Sequence, residues 1–284
     1  FQLIDSFTLY NGLLDGGKAS DFAKNVKGIY DRGQPLVQLG MVVGTGFSTS
    51  FIPMMSQAHA QNRQNEFTRS AMSLLRMTSV FSAAAVTGLL AILPNVNNML
   101  FGDREGIAVL SVYILAIFAA SIMTAYHSIL QSLGQYKISL VALAAGLTVK
   151  FFGNLLLVEP LGTMGASIAL IAGLAAMVLV LWMNSERALR DVWFTDHFVR
   201  KLLAGCVVLF VTVWALRVGL ERYLFTDGGR LTDSVIAVVT VCAGVGVFLW
   251  YILKVRLLTL REWVSIPFGK KLLRKLPDKT SDLK

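Results

Sequence analysis

Charged side chains inside apolar stretches are the residues of this sequence that could do chemistry. Asp5, Arg32 and Lys150 each lie within or directly beside a long run of uncharged residues. A charge in the hydrocarbon core of a membrane is costly, and such residues usually face the interior of a helix bundle, where they mark substrate or ion pathways. These three residues are therefore the first candidates for a functional site.

Asp5 and Lys150 have polar neighbours at helical spacing. A polar stripe runs from Asp5 to Asn11, and a stripe of this kind suits a water-filled cavity. Asn154 follows Lys150 by one helical turn, so both lie on the same helix face. Lys150 could equally form an internal ion pair or extend to the nearer membrane surface. The spacing alone leaves these alternatives open.

Arg32 lies at the start of an apolar run. It follows Asp31 directly and precedes residues 35–55, which are enough to cross a membrane. A long basic side chain at the end of a span commonly extends to the interface. From its position alone, Arg32 is better explained as an interfacial residue than as a ligand-binding one.

The sequence lacks the short motifs that mark common enzymes. It has no HExxH zinc motif, no Walker phosphate-binding loop and no GxSxG nucleophile motif. Gly40 and Gly44 lie in an apolar run, where their spacing favours close helix packing over nucleotide binding. The tight acidic pair Asp103 and Glu105 lies in a short connection. We therefore predict no enzymatic activity, no metal site and no cofactor.

The composition predicts which structural elements position these residues. Of 284 residues, 55% are hydrophobic and 15% are charged, and the mean hydropathy is +0.63. A soluble domain carries about a quarter charged residues, so this chain could not cover a globular surface. The predicted fold class is all-α, a polytopic bundle of transmembrane helices. A cytoplasmic excess of Lys and Arg then explains the net charge of +9, and we expect no nucleic-acid partner.

Uncharged runs locate the helices. A span needs roughly 20 apolar residues, and such runs occur near residues 35–55, 77–99, 107–131, 138–158, 161–183, 202–220 and 234–253. Residues 1–14 are apolar but too few, and we interpret them as the end of a helix whose beginning is missing. Most Lys and Arg, including those of the tail, fall on one side, which the positive-inside rule makes cytoplasmic. Within the tail, residues 267–276 predict a basic amphipathic helix on membrane lipids.

Several short sequences resemble one family of exporters. They are residues 31–40 (DRGQPLVQLG), 5–11 (DSFTLYN), 51–56 (FIPMMS), 133–137 (LGQYK), 150–154 (KFFGN) and 159–162 (EPLG). Together they resemble the polysaccharide-transporter branch of the multidrug/oligosaccharidyl-lipid/polysaccharide exporter superfamily, which has a MATE-like fold. Within that branch, the chain is similar to the stage V sporulation protein B group and the lipid II flippases of Gram-positive bacteria. The resemblance covers most of the chain and is weakest after residue 183.

The resemblance implies a domain plan. Members of the family have two six-helix lobes and two additional C-terminal helices. On that plan, residues 1–183 are the second lobe with its first segment truncated, and residues 184–253 are a cytoplasmic connection plus the two additional helices. Residues 254–284 are a basic cytoplasmic tail. The plan implies the first lobe of the same transporter as a partner, and a multi-pass location in a bacterial cell membrane with a cytoplasmic C-terminus.

The resemblance also implies a flippase that works by alternating access. Its substrate would be a polyprenyl-diphosphate-linked cell-wall precursor similar to lipid II, whose headgroup crosses while its lipid tail stays in the bilayer. A diphosphate needs fixed cations, and arginine's planar fork suits phosphate oxygens. Related flippases place a cavity arginine in an Asp-Arg pair that matches Asp31 and Arg32, so Arg32 would bind the diphosphate while Asp31 holds its guanidinium. Asp5, Lys150 and Asn154 are the other candidate substrate-binding residues.

Other functions stay open. The chain could export a different lipid-linked oligosaccharide, for a capsule or a teichoic-type polymer, or it could be a non-transporting scaffold for cell-wall synthesis. A scaffold has no need of Asp5 and Lys150 within the membrane, which favours transport. A drug or cation antiporter is disfavoured because its cavity would use acidic groups rather than Arg32. A membrane glycosyltransferase would need clustered catalytic carboxylates.

Overall fold

The computed structural model describes residues 1–15, 20–194, 197–223 and 229–258, without the side chains at positions 10, 11 and 13–15. Within these ranges the chain is helical and contains no strand. The helices are α1 (Gln2–Asp15), α2 (Ser20–Asp31), α3 (Gly33–Ala60), α4 (Gln64–Phe101), α5 (Ile107–Ile114), α6 (Ala116–Ser132), α7 (Tyr136–Leu161), α8 (Thr163–Met183), α9 (Arg187–Arg190), α10 (Phe198–Tyr223) and α11 (Arg230–Val255). A 3₁₀ turn, Asp191–Trp193, lies between α9 and α10.

Seven helical stretches of the described chain are long and apolar enough to cross a membrane. They are Ser20–Ala60, Gln64–Phe101, Ile107–Ser132, Tyr136–Leu161, Thr163–Met183, Arg187–Tyr223 and Arg230–Val255. Each overlaps one of the apolar runs identified in the sequence, and α1, with 14 residues, is too short to span on its own. The predicted all-α polytopic bundle is therefore confirmed.

The span made by α2 and α3 bends at Arg32, the one residue between the two helices. Gly33 lets the ring of Tyr113 from α5 pack against this bend, since a Cβ on Gly33 would lie 2.5 Å from the ring. Tyr113 also meets Tyr30 of α2 edge-on, with ring centroids 5.0 Å apart. This close packing fixes the bend from which the Arg32 side chain projects.

The α7–α8 hairpin is closely packed through glycines. A Cβ on Gly165 would clash with the Leu157 carbonyl oxygen, and one on Gly146 would clash with the Met177 side chain. In a bilayer, small residues of this kind let helix backbones approach one another. The hairpin therefore brings Lys150 of α7 against the backbone of α8.

The two last helices, α10 and α11, pack on each other and share one hydrophobic core with α3, α4 and α6. Gly205 contacts the Tyr251 ring across this pair, and Gly244 meets Val213. The helix α8 ends at Met183, where the domain boundary was expected. The division into domains itself stays a prediction. The amphipathic helix predicted at residues 267–276 lies outside the described residues.

Candidate functional site

Asp5, Lys150 and Asn154, which lie far apart in the sequence, meet inside the bundle. Lys150 Nζ lies 2.7 Å from Asp5 Oδ1, and the Asn154 amide donates to the same oxygen at 2.9 Å. The phenol of Tyr30 donates to Asp5 Oδ2 at 3.0 Å. The exposed fractions are 0% for Lys150, 5% for Asp5 and 1% for Asn154. We call Asp5, Thr8, Tyr30, Lys150 and Asn154 the buried polar cluster.

The Lys150 ammonium uses all three of its protons within the cluster. Besides Asp5, it donates to Tyr30 Oη at 3.2 Å and to the Ala166 carbonyl oxygen of α8 at 3.2 Å. A buried ammonium is tolerated only when it is paired and hydrogen-bonded, and this one is both. Of the alternatives left open for Lys150, the structure shows the internal ion pair.

The polar stripe of α1 is only partly joined to this cluster. Thr8 accepts a hydrogen bond from the Asn154 amide at 2.7 Å and donates to the Ile4 carbonyl oxygen. Ser6 is exposed on another face of α1, and the side chain of Asn11 lies outside the described residues. The Asp5 carboxylate therefore contacts Lys150, Tyr30 and Asn154, and the water-filled cavity suggested by the stripe stays a prediction.

Arg32 forms an ion pair with Asp103 of the α4–α5 turn, and not with Asp31. Both guanidinium nitrogens take part: Nη1 lies 2.5 Å from Oδ1 and Nη2 lies 2.8 Å from Oδ2. Hydrogen bonding to Arg32 lowers the pKa of the Asp103 carboxyl. Asp31 instead accepts a hydrogen bond from Lys27, one turn earlier on α2, at 2.9 Å. The expectation that Asp31 holds the Arg32 guanidinium is therefore corrected, because consecutive helical residues do not face each other.

A second buried aspartate was missed by the sequence analysis. Asp233 of α11 is 1% exposed and forms an ion pair with Arg104 at 2.8 Å. It also accepts hydrogen bonds from Asn95 and Asn98 of α4. Glu221 of α10 accepts a further hydrogen bond from Asn95. We call these contacts the Asp233 network. They attach α10 and α11 to the end of α4 and to the α4–α5 turn, which also carries Asp103.

The chain is similar in sequence to a known membrane protein. No protein-family model matches the chain. Over 272 residues the chain is 35% identical to an uncharacterized membrane protein, YabM, of Bacillus subtilis (strain 168), and the match covers 95% of the chain. The protein is a multi-pass membrane protein. The match covers 50% of YabM, so the chain spans about half the length of the curated relative it matches.

Proposed function

We propose that this chain is half of a membrane transporter for a polyprenyl-diphosphate-linked cell-wall precursor. The position of Arg32 carries the proposal. Its side chain is 18% exposed and its guanidinium lies 5.0 Å from the centre of the Phe101 ring. Phe101 lines a groove of about 380 Å³ whose other walls include Leu39 and Val42 of α3. A cation against the Phe101 wall of a largely apolar groove suits an amphiphile with an anionic headgroup and a lipid tail.

The Arg32–Asp103 pair supplies a way to bind and release such a headgroup. A diphosphate offers the same paired oxygens as the Asp103 carboxylate and carries more charge, so it competes for the same guanidinium fork. Asp103 lies in a short turn between Gly102 and Gly106, both with positive φ, and its side chain is 37% exposed. We therefore propose that Arg32 exchanges Asp103 for the diphosphate, and that Asp103 returns when the headgroup leaves.

A second lobe is part of the proposal, because the chain spans half of YabM. One face of α1 exposes Leu3 and Phe7, and α3 exposes Thr49 and Ser50 together with apolar residues. Both hydroxyls donate to the Gly46 carbonyl oxygen of their own helix, and their remaining lone pairs are better satisfied against protein or a water-filled cavity than against lipid. We propose that these faces of α1 and α3 turn toward the other lobe and the substrate path.

We propose that the C-terminal tail is cytoplasmic, and topology can be tested at the two ends of the α2–α3 span. A cysteine at Asn65, which follows α3, should react only with reagents that reach the cytoplasm. A cysteine at Asn25, before the bend in the span, should react with an impermeant maleimide in intact cells. Both positions are exposed. Labelling of the two cysteines from the same side would contradict this orientation.

Headgroup binding tests the proposed substrate class directly. The protein for this test is a chimaera in which the chain replaces the matching segment of YabM. We expect polyprenyl diphosphate to bind about ten- to a hundredfold more tightly than a polyprenyl alcohol of the same length, because a hydrogen bond to a charged group contributes roughly 1.5–3 kcal/mol. The measurement is the ligand-induced rise in thermal midpoint over a concentration series. Equal affinities for the two lipids would contradict a diphosphate site.

The identity of the sugar on the lipid is a separate question, and the same binding experiment addresses it. Arg32 and its groove offer contacts to a diphosphate and a lipid, and these parts are common to cell-wall, capsule and teichoic-type precursors. If the chimaera binds a lipid-linked capsule sugar as tightly as lipid II, the exporter of another oligosaccharide becomes the better description. If it binds neither lipid, the scaffold alternative is favoured.

A further inference from the structure

A large apolar groove lies between α10 and the helices α4, α6 and α8. Its volume is about 780 Å³, and its walls include Val86 of α4, Ile122 of α6, Leu179 of α8 and Leu203 of α10. It shares no lining residue with the groove beside Arg32. Among the described residues, none that lines it belongs to α1, α3 or α11. The groove therefore lies apart from the faces that we propose turn toward the other lobe.

The groove is about as deep as one leaflet of a membrane. Along α10 it extends from Phe198, the first residue of that helix, to Cys206. Eight steps along an α-helix cover about 12 Å, and half of a hydrocarbon core of about 30 Å is about 15 Å. On α8 it ends at Trp182, next to the last residue of that helix. The groove thus extends from one membrane surface toward the bilayer centre, and its depth suits a single acyl chain.

Aromatic side chains form the end of the groove at the membrane surface. These residues are Trp182, Trp193, Phe194 and Phe198. The Trp193 indole donates to Ser79 Oγ at 2.9 Å, and the Trp182 indole donates to the Arg190 carbonyl oxygen at 3.4 Å. Tryptophan is enriched at membrane–water interfaces, where its ring is apolar and its N–H finds a partner. Because both indoles are hydrogen-bonded to the protein, their rings are fixed walls of the opening.

Two arginines with unused donors lie beside this aromatic end. The guanidinium carbon of Arg76, on α4, lies 5.8 Å from the centre of the Phe198 ring. Arg190 directly precedes the 3₁₀ turn that carries Trp193. In both arginines Nε is buried and has no hydrogen-bond partner within the described part of the chain. A buried donor without an acceptor is costly, so this end of the groove offers hydrogen bonds to an anion.

We propose that the groove binds an acyl chain of an anionic glycerophospholipid, whose phosphate accepts hydrogen bonds from Arg76 and Arg190. Arginine binds phosphate oxygens well because its donors form a planar fork. The proposed cytoplasmic orientation of the tail places this end of the groove in the cytoplasmic leaflet, whose surface is negatively charged. Basic pockets between membrane helices on that side commonly hold anionic headgroups. The bound lipid would bridge α10 to α6 and α8 across the groove.

The charges favour a lipid over a segment of this chain as the occupant. Residues 259–284 contain more Lys and Arg than Asp and Glu, so they would bring like charge to Arg76 and Arg190. A zwitterionic phospholipid has a phosphate but also a cationic group, which the same two arginines would repel. An anionic phospholipid brings only the opposite charge, together with a chain for the groove. The site should therefore discriminate between phospholipids by their net charge.

Native mass spectrometry of the full chain in detergent micelles measures this discrimination without any substrate. We expect phosphatidylglycerol to bind at least about tenfold more tightly than phosphatidylcholine with the same acyl chains. Arg76→Ala and Arg190→Ala should each weaken phosphatidylglycerol binding about tenfold. The matched controls Arg69→Ala and Arg187→Ala remove exposed arginines of the same two helices and should leave it unchanged. Equal affinities for the two lipids, or equal losses in the control variants, would overturn the proposal.

A substitution inside the groove separates the acyl chain from the headgroup and from the transport substrate. Ala175→Trp fills the groove from an exposed position of α8 and should abolish the preference for phosphatidylglycerol. Its control, Ala172→Trp, lies one turn earlier at an exposed position outside the groove and should bind like the original chain. Unchanged binding in Ala175→Trp, or displacement of the lipid by glycerol phosphate alone, would overturn the proposal.

The YabM chimaera distinguishes this lipid site from the proposed transport site. Ala175→Trp in the chimaera should leave the affinity for polyprenyl diphosphate unchanged, because the groove shares no residue with the one beside Arg32. A loss of that affinity would make this groove a site for the substrate's tail and overturn the phospholipid proposal. Since the mass spectrometry contains no substrate, a failure there would leave the diphosphate site at Arg32 intact.

Discussion

Replacing Arg32 with alanine should reduce headgroup affinity about ten- to a hundredfold and nearly abolish transport, while membrane abundance stays close to normal. The guanidinium lies against the Phe101 ring that lines the groove, and losing a hydrogen bond to a charged group costs roughly 1.5–3 kcal/mol. Arg32→Lys should be intermediate, because lysine keeps the charge but lacks the planar fork. The measurement is complementation of a flippase-depleted strain by YabM chimaeras matched for abundance by immunoblot.

Asp103→Asn is the matched control for Arg32→Ala, because it breaks the same ion pair from the other side. If Arg32 binds the headgroup, removal of the competing carboxylate should leave affinity unchanged or raise it. If the pair only ties α3 to the α4–α5 turn, the two variants should have the same effect. Equal losses of headgroup affinity in Arg32→Ala and Asp103→Asn would therefore assign Arg32 a structural role.

Replacing Lys150 with methionine should lower the free energy of unfolding by about 3–5 kcal/mol at neutral pH, because removing one partner leaves the buried Asp5 carboxylate without its counter-charge. The matched control is Lys27→Met, which breaks an ion pair at the helix surface. An exposed pair contributes about 0–1 kcal/mol, so this variant should unfold almost like the original chain.

The double variant Asp5→Asn/Lys150→Met provides a second check on the buried pair. Removing both charges should recover much of the stability lost in Lys150→Met, since replacing a whole buried pair is often close to neutral. Stability is measured by thermal or denaturant unfolding of the chain in detergent micelles. Equal losses for Lys150→Met and Lys27→Met would contradict the buried ion pair.

The sequence predicted the helices well because the bilayer imposes a length and a composition on every span. The apolar runs reappear within the seven spans, and α1 is short as expected. The shared face of Lys150 and Asn154 was also predictable, since helical spacing alone places residues four apart together. Helix geometry and hydrophobicity are local properties, and these predictions depended on nothing else.

The partners of the charged residues were not predictable, because they come from distant parts of the chain. Asp5 meets Asn154 from 149 positions away, and no spacing rule connects them. The adjacent Asp31 and Arg32 suggested a pair, yet the helical rule for residues four apart would have matched Asp31 with Lys27 instead. Asp233 could have been noticed as an acidic residue at the start of an apolar span, but its partner Arg104 could not.

Transport by reconstituted protein tests the central claim most directly. The chimaera of this chain with YabM is placed in liposomes that contain a lipid-linked disaccharide diphosphate with a fluorescent headgroup, and an impermeant reductant is then added outside. A flippase brings headgroups from the inner leaflet to the reductant, so we expect almost complete loss of fluorescence with the chimaera and only outer-leaflet loss with the isolated chain. If liposomes with the chimaera lose no more fluorescence than protein-free liposomes, the proposed function is contradicted.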